Sequence, residues 1–475
     1  MGEDQDVLLS FLKYKYPKDE EEKVNSLLHQ LLMENDRLLA VIDDDPTGGQ
    51  TVHDINVYTG WNRESLLKAF QPPQNMFYIM TNSRSMTGAR TAAVQREIVE
   101  NLVWASGVTG RRFELISRGD STLRGHYPQE TQVLAAGLSQ ADRKELLIPY
   151  FHEGRRYTIN DIHYLLDEGR LIPVGESEFG QDKAFGYKNS DLKKWIEEKT
   201  KGNVTADQVG SISLEMLRNL DFEGINAVLS ERRYPKVIVN AATDMDLKVF
   251  AVCYYQMLKK GMNFIARTAS SWPKIAGGIS SVPLMEAGRL VEKSNLNGGL
   301  VIVGSHVKKT TEQLNTLMKS KAGLRFIEFN QHTALEPARL AQEAQRVVEA
   351  AESAMASGVT AVIYTKRERL DWNKGGAEEE LAITSRIADS VTGIAARIRV
   401  NPRFVVVKGG ITSSEIAVKA YRVTEARILG QAAEGVPVWR LGEGSRYPGM
   451  AYVIFPGNVG SNDTLRNVVE ALTDH

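Results

Sequence analysis

The residues best suited to chemistry lie in three short polar stretches, each placed directly after an apolar run. The first, DDDPTGGQT (43–51), follows LLAVI (38–42), which reads as a buried strand. Three adjacent carboxylates repel one another, and the Pro-Thr-Gly-Gly that follows forces a turn. The second, TNSRS (81–85), follows MFYIM (76–80), and the third, SRGDSTLRG (117–125), follows FELI (113–116). Together they bring Asp43, Asp44, Asp45, Asn82, Ser83, Arg84, Asp120, Ser121 and Arg124 towards one sheet edge. Carboxylates accept hydrogen bonds from hydroxyls, and one can act as a general base. Arg84 and Arg124 offer the fork geometry that holds a carboxylate. The group suits a small molecule with several hydroxyls and one acid. Any one of these loops also reads as a capped turn with surface ion pairs; three at one edge read as a site.

A second set of loops lies further along. FVVVKGGITSSEIAVKAY reads as a strand, a Gly409-Gly410 turn and a helix, with Thr412 and Glu415 in capping-box spacing, so the helix is expected to begin near Thr412. Glycines allow close backbone approach, and a helix start presents free N–H groups, a combination that suits phosphate oxygens. An ordinary βα turn fits that motif equally well. IVGSHVKKTTEQL ends a strand at Gly304-Ser305, with Thr310 and Gln313 in similar spacing, and FPGNVGSNDTL follows the last strand with Gly457, Asn458 and Gly460. Three such loops fit a nucleotide site at the carboxyl edge of a sheet. The chain has neither a G-x-x-x-x-G-K-[ST] motif nor a strand-linked G-x-G-x-x-G with a following acid.

The elements that must position these loops follow from the alternation of apolar runs with helical patterns. TAAVQREIVENLVWA places Val94, Ile98 and Leu102 on one helix face. Residues 149 to about 235 are more polar and irregular before KVIVN (236–240) resumes the pattern, and TASSWPKIAGGISSVP (268–283) reads as a domain junction. Beyond it come LVIV, FIEF, AVIY, FVVV and YVIF. The expected fold is α/β, with two domains, each a mostly parallel sheet flanked by helices, and the active site in the cleft between them. The expected boundaries are a helical N-terminal extension over 1–37, with EEEKVNSLLHQLLMENDR as a packing or dimer contact, a first domain over 38–275 and a second over 276–475.

Bulk properties narrow the function. The 475 residues are 42% hydrophobic and 25% charged with a net charge of -1, an ordinary globular balance that argues against bulk phosphate neutralisation on nucleic acid. The single cysteine, Cys253, excludes an intrachain disulfide and a cysteine metal site, and its setting in FAVCYYQML reads as helix packing. His152 and His163 flank GRRYTINDI without a metal-binding spacing, so no protein metal site is expected. Without a signal-peptide pattern or an apolar run approaching roughly 20 residues, the expected location is cytoplasmic. Asp43-x-Asp45-x-Thr47 also spells the D-x-D-x-T of haloacid-dehalogenase-type phosphatases. The later acidic pair that such an enzyme needs is missing, since Gly119-Asp120 has Arg124 in the place of the second acid. That reading ranks second; a sensor of sugar acid and nucleotide without turnover ranks third.

DDDPTGGQTVHDI, TNSR, DSTLRGH, GESEFGQDKAFGY, RTASSW, GSHVKKTTEQL, KGGITSSE and GEGSRYPGMAYVIFPGNVG together resemble the four-carbon acid sugar kinase family, which includes threonate, erythronate and 3-oxo-tetronate kinases. The resemblance runs from Leu38 to the C-terminus. It implies a sugar-acid-binding first domain, an ATP-binding second domain, and magnesium accompanying ATP. By motif it implies acids at Asp44 and Asp45, with Asp43 before them, and substrate-gripping residues at Arg84, Asp120 and Arg124. The nucleotide-side residues would be Ser305, Gly409, Gly410, Thr412, Ser413, Gly457 and Gly460. The chain departs from the shorter DD-L-TG pattern of other members by its Pro46 and the extra acid Asp43. The implied partners are a small sugar acid and ATP, with no nucleic acid or membrane and a possible homodimer.

Overall fold

The computed structural model describes residues 5–138, 143–368, 370 and 377–474, without side chains at 377–381. Residues 1–4 of the expected extension lie outside the described residues. In chain order the strands are β1 (Leu38–Asp43), β2 (Ile55–Tyr58), β3 (Met76–Met80), β4 (Phe113–Arg118), β5 (Arg143–Ile148), β6 (Arg156–Ile159), β7 (Ile162–Asp167), β8 (Arg170–Pro173), β9 (Val209–Ile212), β10 (Lys236–Val239), β11 (Asn263–Thr268), β12 (Leu300–Val303), β13 (Leu324–Phe329), β14 (Thr360–Thr365), β15 (Val405–Lys408), β16 (Glu425–Ala433), β17 (Val436–Leu441) and β18 (Ala451–Phe455).

The chain divides into two compact units. The first comprises residues 1–52 and 60–281, the second 53–59 and 282–475. In the first unit β3-β1-β4-β11-β5-β10-β9 form a parallel sheet. Its inner strands are apolar because both faces are covered by helices. The helix Gly88–Thr109 carries Val94, Ile98 and Leu102 fully buried, as the periodicity predicts. It opens on Thr87, whose side chain accepts from the Arg90 N–H, and closes on Gly110 in the left-handed region at φ 71°. The N-terminal helices Gln5–Leu12 and Lys18–Glu34 belong to this unit; Val24 and Leu28 are buried, and the Tyr16 hydroxyl donates to Asp246 at 2.8 Å.

The stretch after Tyr150 is more ordered than its polar sequence implies. β6, β7 and β8 form an antiparallel sheet of their own, because short tight turns at 160–161 and 168–169 adopt positive φ. The expected junction at 268–283 contains the boundary between the units, at 281/282, but its first half is built otherwise. Ser271–Ala276 is a helix with all six residues buried in the first unit, so the Ser- and Pro-rich composition there marks a tightly packed turn.

In the second unit β13-β14-β12-β15-β18 are parallel, and β17, β16 and β2 continue the sheet antiparallel. Residues 53–59, which the sequence places in the first domain, lie in the second unit because Ile55–Tyr58 pairs with Glu425–Ile428. Cys253 is buried on the helix Asp244–Lys259, where burial pushes its thiol up to about 12. Among the described residues no helix is long and apolar enough to cross a membrane.

Candidate functional site

In the first unit β1 lies between β3 and β4, a point where the strand order reverses, and ligands of such sheets bind beyond the carboxyl ends there. The ends are level, since Asp43 is in register with Met80 on one side and Arg118 on the other. The Thr81 N–H and hydroxyl both donate to the Asp43 carbonyl, at 2.9 and 2.8 Å, and Gly119 N–H donates to Thr268 O at 2.8 Å. The loops that follow the strands therefore leave one edge together.

Arg84 is the hub of this edge. Its Nε and Nη2 donate to the two oxygens of Asp44, at 3.1 and 2.5 Å, and Nη1 donates to Asp45 at 3.1 Å and lies 3.8 Å from Asp120. Arg84 thus has three of its five N–H donors on neighbouring carboxylates and offers a ligand less of the fork its sequence position implies. Those three acids raise its pKa against the opposing effect of burial. Asp45 also accepts from the Thr47 N–H and hydroxyl, at 2.8 and 2.5 Å. Burial opposes its charge, yet Arg84, Arg118 and the Thr47 bonds hold its pKa below the usual carboxylate range.

Asp43 sits deeper, 2% exposed, with Oδ1 accepting from Arg118 Nη1 and from the Asp45 N–H, both at 3.0 Å. A Cβ at Gly48 would fall 1.5 Å from its Oδ2, so the loop closes over this carboxylate only because residue 48 is glycine. Burial, against the pull of Arg118, pushes Asp43 up to about 7. A carboxylate so enclosed is not presented as the nucleophile that the phosphatase reading requires. Arg118 also donates to Ser270 Oγ at 2.9 Å.

Asp120 is more open. It accepts from Arg124 Nε at 2.8 Å and from the Thr122 hydroxyl. Burial opposes its charge, but Arg84, Arg124 and the bond from Thr122 drive its pKa far below the usual range. Ser83 donates to Glu130 at 3.1 Å, and Asn82 turns the backbone at φ 55°. Ser121 contributes its carbonyl, which accepts from His163 Nε2 at 2.7 Å. A carbonyl only accepts, so Nε2 carries the proton and Nδ1 takes the Thr158 hydroxyl at 2.9 Å; burial pushes this imidazole down to about 4. The nine sequence-predicted residues of this unit thus share one edge. Sequence reasoning missed Arg118, Glu130, Arg267 and Ser270. For Arg118, Arg267 and Ser270 the signal was a charged or hydroxyl residue ending, or just following, an apolar run; Glu130, after HYPQ, had none.

The second unit repeats the geometry with other materials. β12, β15 and β18 end level, Val303 with Lys408 and Lys408 with Phe455. Gly409 has φ 127°, a conformation that side chains rarely adopt, and its N–H donates to Phe455 O at 2.8 Å. The helix Gly410–Glu415 begins two residues before the expected start. Thr412 is inside it rather than capping it, because the Gly409 conformation sets the start and no side chain caps it. Ser413 instead donates to Val407 O and Gly409 O, at 3.0 and 2.7 Å, fastening the turn. Thr310 and Gln313 also fail to cap: their helix Lys308–Leu317 starts earlier. They hold the third loop, Thr310 donating to Gly457 O at 2.9 Å and Gln313 to Val459 O and Ser461 O at 2.9 and 2.8 Å.

These bonds bring the three loops close. A Cβ at Gly409 would lie 3.2 Å from Ser305 Cβ, and one at Gly457 2.9 Å from Ser305 Oγ. Asn458 and Gly460 are exposed on the rim. Lys408 is fully buried; Nζ donates to Pro456 O at 2.5 Å and lies 4.0 Å from the Phe455 ring centre. Burial, and then Lys309, push its ammonium down to about 6. Among the described residues no group of three or more His, Cys, Asp or Glu is arranged to hold a metal ion.

Two family models match the chain. A sugar-binding N-terminal domain covers residues 39–274, and a nucleotide-binding C-terminal domain covers 300–465. Among solved structures, the chain is similar to a Haemophilus influenzae protein described as DUF1537, with TM-score 0.60 and 17% identity over 91% of this chain and 100% of that one. It is also similar to a Salmonella typhimurium LT2 protein provisionally described as a tRNA synthase, with TM-score 0.64 and 14% identity over 90% and 97%. At such identities the likeness is one of fold. No curated protein matches the chain.

Proposed function

The chain belongs to the four-carbon acid sugar kinase family, and from that membership we propose that it transfers the γ-phosphoryl of ATP to a hydroxyl of a four-carbon sugar acid or related short polyhydroxy acid. The observation that carries the reading is the sequence of matches, sugar-binding then nucleotide-binding, over the two sheet edges described above. The terminal hydroxyl is the proposed acceptor, being the least hindered.

Phosphoryl transfer asks a protein for positioning and charge neutralisation more than for covalent help. In the first unit Asp120 and Asp45 have both charge and access, and Asp120 is proposed to orient the attacking hydroxyl. Its low pKa makes it a weak proton acceptor, which a loose transition state tolerates. Arg84 and Arg118 keep the carboxylates charged and fixed at the strand ends. In the second unit the backbone N–H groups of Gly410, Ile411 and Thr412, at a helix start, are proposed to receive phosphate oxygens beside Ser305 and Gly457. The acids of the first unit are matched to arginines, so they do not fit a metal. Magnesium would arrive with the ATP phosphates and water and screen their charge.

The test is ADP release from ATP and magnesium across the four-carbon sugar acids and their 2- and 3-oxo forms. ADP release dependent on one or a few of these acids is expected. Phosphate release from sugar phosphates without ATP would overturn the reading in favour of a phosphatase. Binding of acid and ATP without turnover would leave a sensor.

A further inference from the structure

Arg156, the first residue of β6, has no close ion pair among the described residues, and Asp120 and Asp167 act on it only from further off. Its backbone is pinned, N–H to Phe151 O at 2.9 Å and carbonyl to Phe151 N–H at 3.0 Å. Its side chain is only partly exposed, yet among the described residues it makes no hydrogen bond or ion pair, and Nε is buried without a partner. A partly buried guanidinium with an unpartnered Nε is stabilised by a ligand that supplies acceptors. The nearby carboxylate of Asp120 is already engaged by Arg124 and Thr122.

The surroundings hold Arg156 against the site rather than away from it. His163, on the neighbouring strand, binds Ser121 O, and the Tyr187 hydroxyl binds Thr122 O at 2.6 Å. Arg124 Nη1 lies 3.6 Å from Asp182. The β6–β7 hairpin and the 174–187 stretch are thus fastened to the Asp120 loop at three points. Between them, the Phe179 ring has the Arg124 guanidinium 4.9 Å and the Arg156 guanidinium 5.7 Å from its centre.

We propose that Arg156, with Arg124 beside it and the Phe179 ring as its wall, is the residue that receives the carboxylate of the sugar acid. This deepens the proposed function and rests on it for the class of acid. Arg84 is less suited to that role, since three of its five donors are engaged by Asp44 and Asp45. Arg156 selects for charge: acids bind, and the matching alditols do not.

The test uses the full chain and two readouts. Calorimetry without nucleotide compares sodium threonate and erythronate, in both enantiomers, with threitol and erythritol. Turnover with ATP then gives KM and kcat for whichever acid reacts. Arg156→Gln is expected to weaken acid binding and raise the acid KM at least about tenfold, with kcat, the KM for ATP and the melting temperature little changed. Arg156→Lys should recover part of the loss. Phe179→Leu, which keeps an apolar wall without a ring, should cost less than Arg156→Gln. Acid binding lost in Arg156→Gln from a chain that shows no ATP turnover would support the site and sink the kinase. Turnover with an unchanged acid KM in Arg156→Gln, or wild-type chain that binds alditols as well as acids, overturns the assignment.

Discussion

In the first unit the candidate site is made of charged side chains: Asp43, Asp44, Asp45 and Asp120 face Arg84, Arg118 and Arg124, joined at 2.5–3.8 Å. In the second unit the same position beyond the strand ends is made of backbone, with Gly304, Gly409, Gly410 and Gly457 and the hydroxyls of Ser305, Thr310 and Ser413. Lys408, deeply buried there, is pushed towards neutrality. The difference teaches what each ligand demands. A polyhydroxy acid has to be read group by group, which takes directional side chains held by one another. A polyphosphate carries its own charge and needs close approach and N–H groups, which side chains would obstruct.

If the first edge is an interlocked charge set, removing its hub should be the most damaging change. Arg84→Ala leaves Asp44 and Asp45 without their guanidinium, and the expected loss is about 3–5 kcal/mol, read by urea denaturation. A loss below about 1 kcal/mol would mean that Arg118 suffices and the set is not interlocked. The second edge should instead be sensitive to added atoms. Gly409→Ala puts a Cβ 3.2 Å from Ser305 in a backbone conformation with φ 127°, and ATP affinity is expected to fall at least about tenfold while acid binding persists. Equal loss of both ligands by calorimetry would break the comparison.

A third expected effect concerns pH. Lys408 has its folded pKa lowered from the ordinary 10.5 to about 6, so between those values the unfolded chain binds the extra proton. Stability contributed through this group therefore rises as pH goes from about 6 towards 10.5, and is flat below. Lys408→Met should make the rise in denaturation midpoint between pH 6.5 and 9 shallower. An unchanged slope would show a cationic lysine in the fold, and the second edge would then be charged like the first.

Much of this arrangement could be read from the sequence where one signal dominated. LLAVI, MFYIM, LVIV and FVVV are strands because runs buried on both faces are apolar throughout. The same rule hides Asn263–Thr268, whose last residues Arg267 and Thr268 are polar yet buried at the site, and Ile55–Tyr58, which is half-exposed at its start. Residue types at the first site were legible because charges cluster there. Their pairing was not, since the partners of Arg84 and the isolation of Arg156 depend on contacts that no spacing encodes. The helix starts failed for a related reason. Thr412 and Thr310 have capping spacing, but their hydroxyl-bearing turns are positioned by Gly409 and by the loop at Gly457.

The strand Ile55–Tyr58 has a consequence for how the chain is made. It leaves the ribosome among the first sixth of the residues, but its partner Glu425–Ile428 follows more than three hundred and fifty positions later, at about 5–20 residues per second. For that interval the nascent chain carries this strand without its antiparallel partner. A gene cut at the boundary between the two family matches would separate the strand from its partner permanently. Residues 282–475 expressed alone would leave Glu425–Ile428 without this partner, and unpaired edges recruit other chains.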